Sequence, residues 1–192
     1  MMRAMERTAR RCGVALRYSQ GFNPRPRLSL VFPRSVGIAT RDDLLMLVLD
    51  EPIEGDELLR QLNEQAPRGM RFFDPEVLAE SRAPLPRRAH YELPLEEQRL
   101  GEVRTRVEAL QAQPQWPIHR ETPRKGRSPG SVKSIDLRPL VEQLSVEGST
   151  LHLVLAPQGD AWARPSEVLR LLAMDERADL ARITRSRVEY EM

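Results

Sequence analysis

The chain has 192 residues and a mass of 22.0 kDa, with 40% hydrophobic and 30% charged side chains and a mean hydropathy of −0.50. No apolar run approaches the roughly 20 residues a membrane-spanning helix needs, and the arginine-rich start has no signal-peptide core, so residence in the cytoplasm with no membrane contact is expected. The net charge of +2 conceals a segregation: residues 1–34 carry eight basic side chains and one acidic, residues 35–116 ten and sixteen, residues 117–140 six and two, and residues 141–192 six and nine. Two basic segments inside an otherwise acidic chain point to a local patch for a polyanion, if folding brings them together.

Residues 1–12 have helical spacing, with Met2, Met5, Ala9 and Cys12 on one stripe and Arg3, Arg7, Arg10 and Arg11 elsewhere, and Gly13 ends the helix. Cys12 is the only cysteine, so no internal disulfide forms, and a small buried apolar side chain is the expected role. Residues 18–27, YSQGFNPRPR, follow between this helix and a strand. Pro24 and Pro26 fix their own φ angles and push Asn23 and Arg25 toward extended backbone, so Arg25 and Arg27 are presented with little left to order on binding. Gly21 lets the backbone turn sharply, Gln20 and Asn23 add polar groups, and Phe22 or Tyr18 supplies a stacking face beside the arginine forks. The segment reads either as a rigid cationic recognition loop or as a proline-stiffened strand entry with solvated arginines.

Residues 28–32 and 44–49 read as strands joined through Gly37, and the all-apolar run LLMLVL suits a strand covered on both faces. Residues 54–65 form a helix with Leu58, Leu59 and Leu62 inward, ended by Pro67 and Gly69, and residues 70–77 read as a further strand interrupted at Pro75. A linker at 83–89 separates this first domain, 1–82, from a second, 90–192. There a strand at 91–95, a helix at 97–112, strands at 116–120 and 151–155, a helix at 165–173 and a closing strand at 182–189 give β-α-β-β-α-β. The fold class expected is α+β, as two tandem ferredoxin-like units of which the first lacks its first strand.

The segment 123–133 carries Arg124, Lys125, Arg127 and Lys133 among glycine, serine and proline, and reads equally as a polyanion contact or a solvated hairpin excursion. Asp136 and Arg138 just beyond read as a structural pair, with the aspartate as a cap. Catalytic patterns are poor. His90, His119 and His152 stand about thirty residues apart with no ligand-spaced partner, and phosphate-loop, dinucleotide and nucleophile-elbow glycine patterns are missing. The pairs Asp42-Asp43 and Asp50-Glu51 sit at strand ends, where solvated turn carboxylates are the ordinary outcome.

The run YSQGFNPRPRLSLVFPRSVGIATRDDLLMLVL, with the helix before it, Leu62-Asn63, residues 135–138, Arg164-Pro-Ser-Glu-Val168 and residues 182–185, resembles the signature of a bacterial family of unknown function fused to, or encoded beside, radical-SAM proteins. Similar proteins begin with a strand and a polar turn before the helix that here opens at Met1, so an unpaired sheet edge is expected in the first domain. The resemblance implies a radical-SAM protein as partner. This chain has no Cys-x3-Cys-x2-Cys, so a cluster belongs to that partner and no cofactor is expected here. Three readings follow. The first is a non-catalytic RNA- or nucleotide-binding module with Arg25, Arg27, the 123–133 loop and Arg164 around one cleft. The second is a protein-interaction subunit of a radical-SAM enzyme, and the third an RNA-modifying or RNA-cleaving enzyme.

Overall fold

The computed structural model describes residues 2–78, 83–122 and 131–191. It is a mixed α+β protein. In chain order the elements are α1 (Met2–Arg11), β1 (Leu28–Leu30), β2 (Ala39–Thr40), β3 (Leu45–Leu47), α2 (Gly55–Gln65), β4 (Leu85–Pro94) and α3 (Glu97–Gln111). These are followed by β5 (Pro117–Thr122), β6 (Ser131–Asp136), β7 (Val141–Glu147), β8 (Thr150–Leu155), α4 (Pro165–Leu171), α5 (Glu176–Leu180) and β9 (Thr184–Glu191). The chain divides into two compact units, Met1–Pro33 with Leu44–Pro84, and Arg34–Asp43 with Leu85–Met192. Among the described residues no helix is long and apolar enough to cross a membrane.

In the first unit, α1 buries Met5, Thr8 and Ala9, and Cys12 follows one turn later with its thiol donating to the Ala9 carbonyl at 3.0 Å. Ala9, Cys12, Leu16 and Leu62 form the core cluster, with Leu28, Leu47, Leu49, Leu58 and Phe72 packed against it. β1 and β3 pair antiparallel, Leu28 opposite Leu47 and Leu30 opposite Leu45. The expectation of a strand covered on both faces is corrected: β3 has one paired neighbour among the described residues and all three of its residues are half-buried. The strand expected at 70–77 is also absent. Pro75 has no donor for a ladder, Asp74 has φ +48°, and the Asn63 side chain meets both backbone groups of Phe72, at 2.8 and 2.9 Å, where a neighbouring strand would otherwise do so.

The second unit is a five-stranded sheet in the order β2-β9-β4-β8-β7, with β2 parallel to β9 and the other pairings antiparallel. α3 connects β4 to a β5-β6 hairpin that forms its own two-stranded sheet, and the chain then enters β7. The expectation that 116–120 follows the helix into the main sheet is corrected. β7 fills that role, and a register shift between Val141 and Gln143 disrupts the alternation that marks a strand. The expected linker region contains the start of β4 at Leu85. β4 alternates cleanly, with Ala89, Tyr91 and Leu93 buried, and α3 supplies Val103, Val107 and Leu110 to the core beside Trp116, whose indole donates to the Leu110 carbonyl at 2.7 Å. The backbone of the edge strand β7 is partly covered, because the Gln111 side chain donates to the Leu144 carbonyl at 2.7 Å.

Three charge pairs pin this unit. Arg99 grips Asp179 bidentately at 2.7 and 2.8 Å, and Arg120 grips Glu167 at 2.6 and 2.7 Å while also reaching the Trp162 carbonyl. Arg185, whose side chain is 1% exposed, pairs with Asp43, which also takes Arg34 at 2.8 Å and the Thr40 hydroxyl at 3.0 Å. The reading of Asp42-Asp43 as solvated turn carboxylates is thereby corrected. The Asp43 side chain is only 7% exposed and Asp42 accepts the Val188 N–H, because β2 joins the edge of β9 and carries both residues into the unit. Burial pushes the neighbouring Tyr91 hydroxyl above its ordinary pKa, against the opposing pull of Arg185.

Replacing Asp43 with asparagine strands a buried guanidinium, and a loss of about 3–5 kcal/mol is expected in chemical denaturation; a change below about 1 kcal/mol would remove the pair from the account. The Asp179 carboxyl is held below the usual aspartate range, chiefly by Arg99. A depressed carboxyl stabilises the fold above its unfolded pKa and loses that contribution as pH falls through the folded value, so melting temperature is expected to drop steeply below about pH 4. Asp179→Asn is expected to flatten that acid limb, and an unaltered limb would contradict the assignment.

Candidate functional site

The site is built on the first unit, where the chain leaves α1 at Gly13 and returns to the sheet at β1. Ala15 and Arg17 bond to the 48–50 segment, through Asp50 N–H to the Ala15 carbonyl at 2.7 Å and Arg17 N–H to the Val48 carbonyl at 2.8 Å. Arg27 closes the loop on the other side by donating to the Arg17 carbonyl at 2.7 Å and accepting from Val48 N–H at 3.0 Å. Tyr18 and Pro26 form a bridge above this stem, and Ser19 and Arg25 exchange two bonds, Ser19 N–H to the Arg25 carbonyl at 2.8 Å and Arg25 N–H to Ser19 Oγ at 3.0 Å. The prolines serve this geometry: Pro26 is buried in the stem, while Pro24 precedes the last tie.

Above the tied stem stand Gln20, Gly21, Phe22 and Asn23, all exposed. Gly21 has φ +142°, in the region that side chains avoid, and so the tip needs glycine there. Phe22 is fully exposed at 106% relative accessibility and Tyr18 at 41%, which presents two aromatic groups to solvent on one loop. Arg25 and Arg27 are exposed and make no ion pair among the described residues, in contrast to Arg17, which pairs with Asp50 at 2.6 Å. An unpaired guanidinium keeps its fork open for phosphate or carboxylate, and an exposed ring offers a stacking face.

The other residues singled out in the sequence belong to the second unit or lie outside the described residues. Arg124, Lys125 and Arg127 are outside. Lys133 is exposed on β6, opposite Arg120 of β5. Arg164 precedes α4 with its side chain exposed, and its backbone N–H donates to Glu167 at 2.8 Å. The Arg164-Pro-Ser-Glu-Val168 motif thus has a structural basis in Glu167, which caps α4 and holds Arg120 at once. Asp136 does act as a cap, accepting the N–H groups of Trp116 and Arg138, but it makes no ion pair with Arg138, whose guanidinium stacks on Trp116 at 4.9 Å from the ring centre.

One cluster has no counterpart among the sequence motifs. His90 Nε2 lies 3.0 Å from Glu189 Oε1, and Arg88 donates to both Glu189 and Glu142 around an open concavity of about 530 Å³ lined also by Gln143 and Val154. Arg88, and secondarily His90, hold the Glu189 carboxyl below its ordinary range. The signal is the shared face of β4 and β9, visible only once Arg88 is set opposite Glu189 by the register. Arg88 ties both carboxylates and the His90 ring adds a hydrogen bond to Glu189, which makes it a brace joining β4, β7 and β9. Among the described residues no group of histidine, cysteine and carboxylate side chains is arranged to hold a metal.

The model of DUF2344, an uncharacterized protein conserved in bacteria, matches residues 1–173, and the chain belongs to that family. No curated protein matches it. Because Gly21 holds a conformation unfavourable to side chains, Gly21→Val is expected to destabilise the loop by about 1–3 kcal/mol. Hydrogen exchange at residues 19–25 measures this, and unchanged protection would show that the tip does not depend on glycine.

Proposed function

We propose that this DUF2344 member is a non-catalytic RNA-binding module whose 18–27 loop holds the ligand, with Arg25 and Arg27 on phosphates and Phe22 stacked on a base. The observation that carries the reading is the combination of a fully exposed aromatic ring and two unpaired arginines on one stem-tied loop. Fixed stems reduce the ordering cost of binding, and base stacking on an aromatic contributes about 1–3 kcal/mol. The four strands β9-β4-β8-β7, with helices in the two crossovers, support reading the second unit as ferredoxin-like, a frame that unrelated functions share and that therefore adds little about the ligand. The resemblance to radical-SAM-linked proteins supports a role beside a catalytic subunit that carries the cluster and performs the chemistry in the cytoplasm.

A second reading draws on Phe22. A fully exposed ring also suits an apolar pocket on a protein partner, with the loop as a docking element on a radical-SAM subunit. Salt separates the two. Phosphate contacts give a log-affinity slope of about 0.7 per neutralised phosphate on single strands, whereas a ring in a pocket is nearly indifferent to salt.

Arg25→Gln with Arg27→Gln is expected to leave the melting temperature close to wild type, since exposed arginines contribute little to folding. The same double variant is expected to weaken single-stranded RNA binding by about 1.5–3 kcal/mol for each charge-assisted hydrogen bond removed. Fluorescence anisotropy at several salt concentrations reads both affinity and slope. Wild-type affinity in an intact double variant would eliminate the loop as the RNA contact.

A further inference from the structure

The exposed face of α1 is almost purely cationic. At 100° per residue, Arg3, Arg7, Arg10 and Arg11 fall within about 100° of arc, and all four are exposed while Met5, Thr8 and Ala9 point into the unit. None of the four makes an ion pair among the described residues; Arg7 donates only to the Arg3 backbone carbonyl at 3.1 Å. Glu6 is the sole acidic residue in 1–34 and makes no ion pair among the described residues, so the four arginines with Glu6 keep a net charge of +3 on the helix. Helix stability accounts for Arg10 and Arg11, which stand in the last turn where the macrodipole favours a cation, but not for Arg3, which stands in the first turn where it is disfavoured. Basic amphipathic helices that lie on membranes keep an apolar face free to insert. Here Ala9 packs in the core cluster and Met5 is buried, so the apolar face is occupied and the exposed side chains of the helix are the arginines.

The stripe and the loop share one support. Ala9 and Cys12, on the inner side of the α1 end, pack in the same cluster as Leu16 and Leu28, the residues that bracket the loop on either side. The two cationic features are therefore carried on one packed core. Between Arg3 and Arg11 the helix axis advances about 12 Å, further than a single phosphate group can reach.

Taking the 18–27 loop as an RNA contact, we infer that the α1 arginine stripe is the second half of the same site, and that the ligand is a single-stranded RNA of several nucleotides rather than a free nucleotide. The loop grips one base and its flanking phosphates; the stripe follows the backbone beyond it. Affinity then grows with length until the stripe is filled.

The test is a length series, with uridine monophosphate and oligouridylates of two, four, eight and twelve nucleotides titrated against the full chain and against an Arg3→Gln, Arg7→Gln, Arg10→Gln variant. Wild type is expected to bind the octamer at least tenfold tighter than the dinucleotide. The triple variant is expected to lose that gain, to keep its dinucleotide affinity, and to lower the log–log salt slope on the octamer by about 2, at about 0.7 per phosphate. Equal wild-type affinity for dinucleotide and octamer would overturn the inference, as would an octamer affinity and slope unchanged in the triple variant. If Arg25→Gln with Arg27→Gln abolishes binding while the triple variant is unaffected, the loop reading stands and this one falls; if neither variant weakens binding, both fall. Should the triple variant melt early, the wild-type length series decides by itself.

Discussion

A guanidinium taken fully out of water needs a carboxylate within reach, and in the second unit Arg185 finds it in Asp43, 142 residues away in sequence. Meeting that need draws residues 34–43 out of the local connection between β1 and β3 and builds them into the sheet beside β9. The Thr40 hydroxyl and Arg34 complete the shell around Asp43, and Asp42 supports Val188 from the same segment. One buried charge thus anchors a ten-residue segment within the second unit. The other internal pairs are two-toothed: Arg99 with Asp179 joins α3 to α5, and Arg120 with Glu167 joins the β5-β6 hairpin to α4.

Against this background the arginines divide into two populations. Those in the second unit that face carboxylates are structural, and their pairing leaves little charge to offer a ligand. Those of α1 and of the 18–27 loop lack ion-pair partners among the described residues, and the first 34 residues hold one acid to balance them. Conformational cost reinforces the contrast: the loop is tied at its stem by five backbone bonds and a serine hydroxyl, so that ordering has already occurred before any ligand arrives. An exposed phenylalanine at such a tip gains nothing for folding, which is why it bears on binding.

Elements with strong periodicity are legible in the sequence. α1, α2, α3 and α4 follow from apolar spacing with Gly13, Pro67 and Pro165 as punctuation, and β4 and β8 from alternation. What escapes does so for physical reasons. β2 is two residues long and owes its existence to a partner strand met across 145 residues of chain, Thr40 to Arg185, so no local pattern announces it. β7 is broken by a bulge, and the apparent strand at 70–77 is imitated by an apolar run that in fact hangs from the Asn63 amide. Asp43 and Asp42 are chemically identical neighbours, and only tertiary context distinguishes the buried partner of Arg185 from the residue beside it. At the candidate site the exposure of Phe22 and the strained φ of Gly21 agree with an unusual composition, since the proline-arginine alternation constrains the backbone locally.

The central claim is that RNA touches the 18–27 loop, and photocrosslinking reports contact without relying on substitution. Single-stranded RNA carrying 4-thiouridine, irradiated with the full chain and mapped by peptide mass spectrometry, is expected to mark Phe22 or Tyr18, with additional marks confined to α1. Crosslinks found only on β4 to β9, with residues 2–27 unmarked, would contradict it.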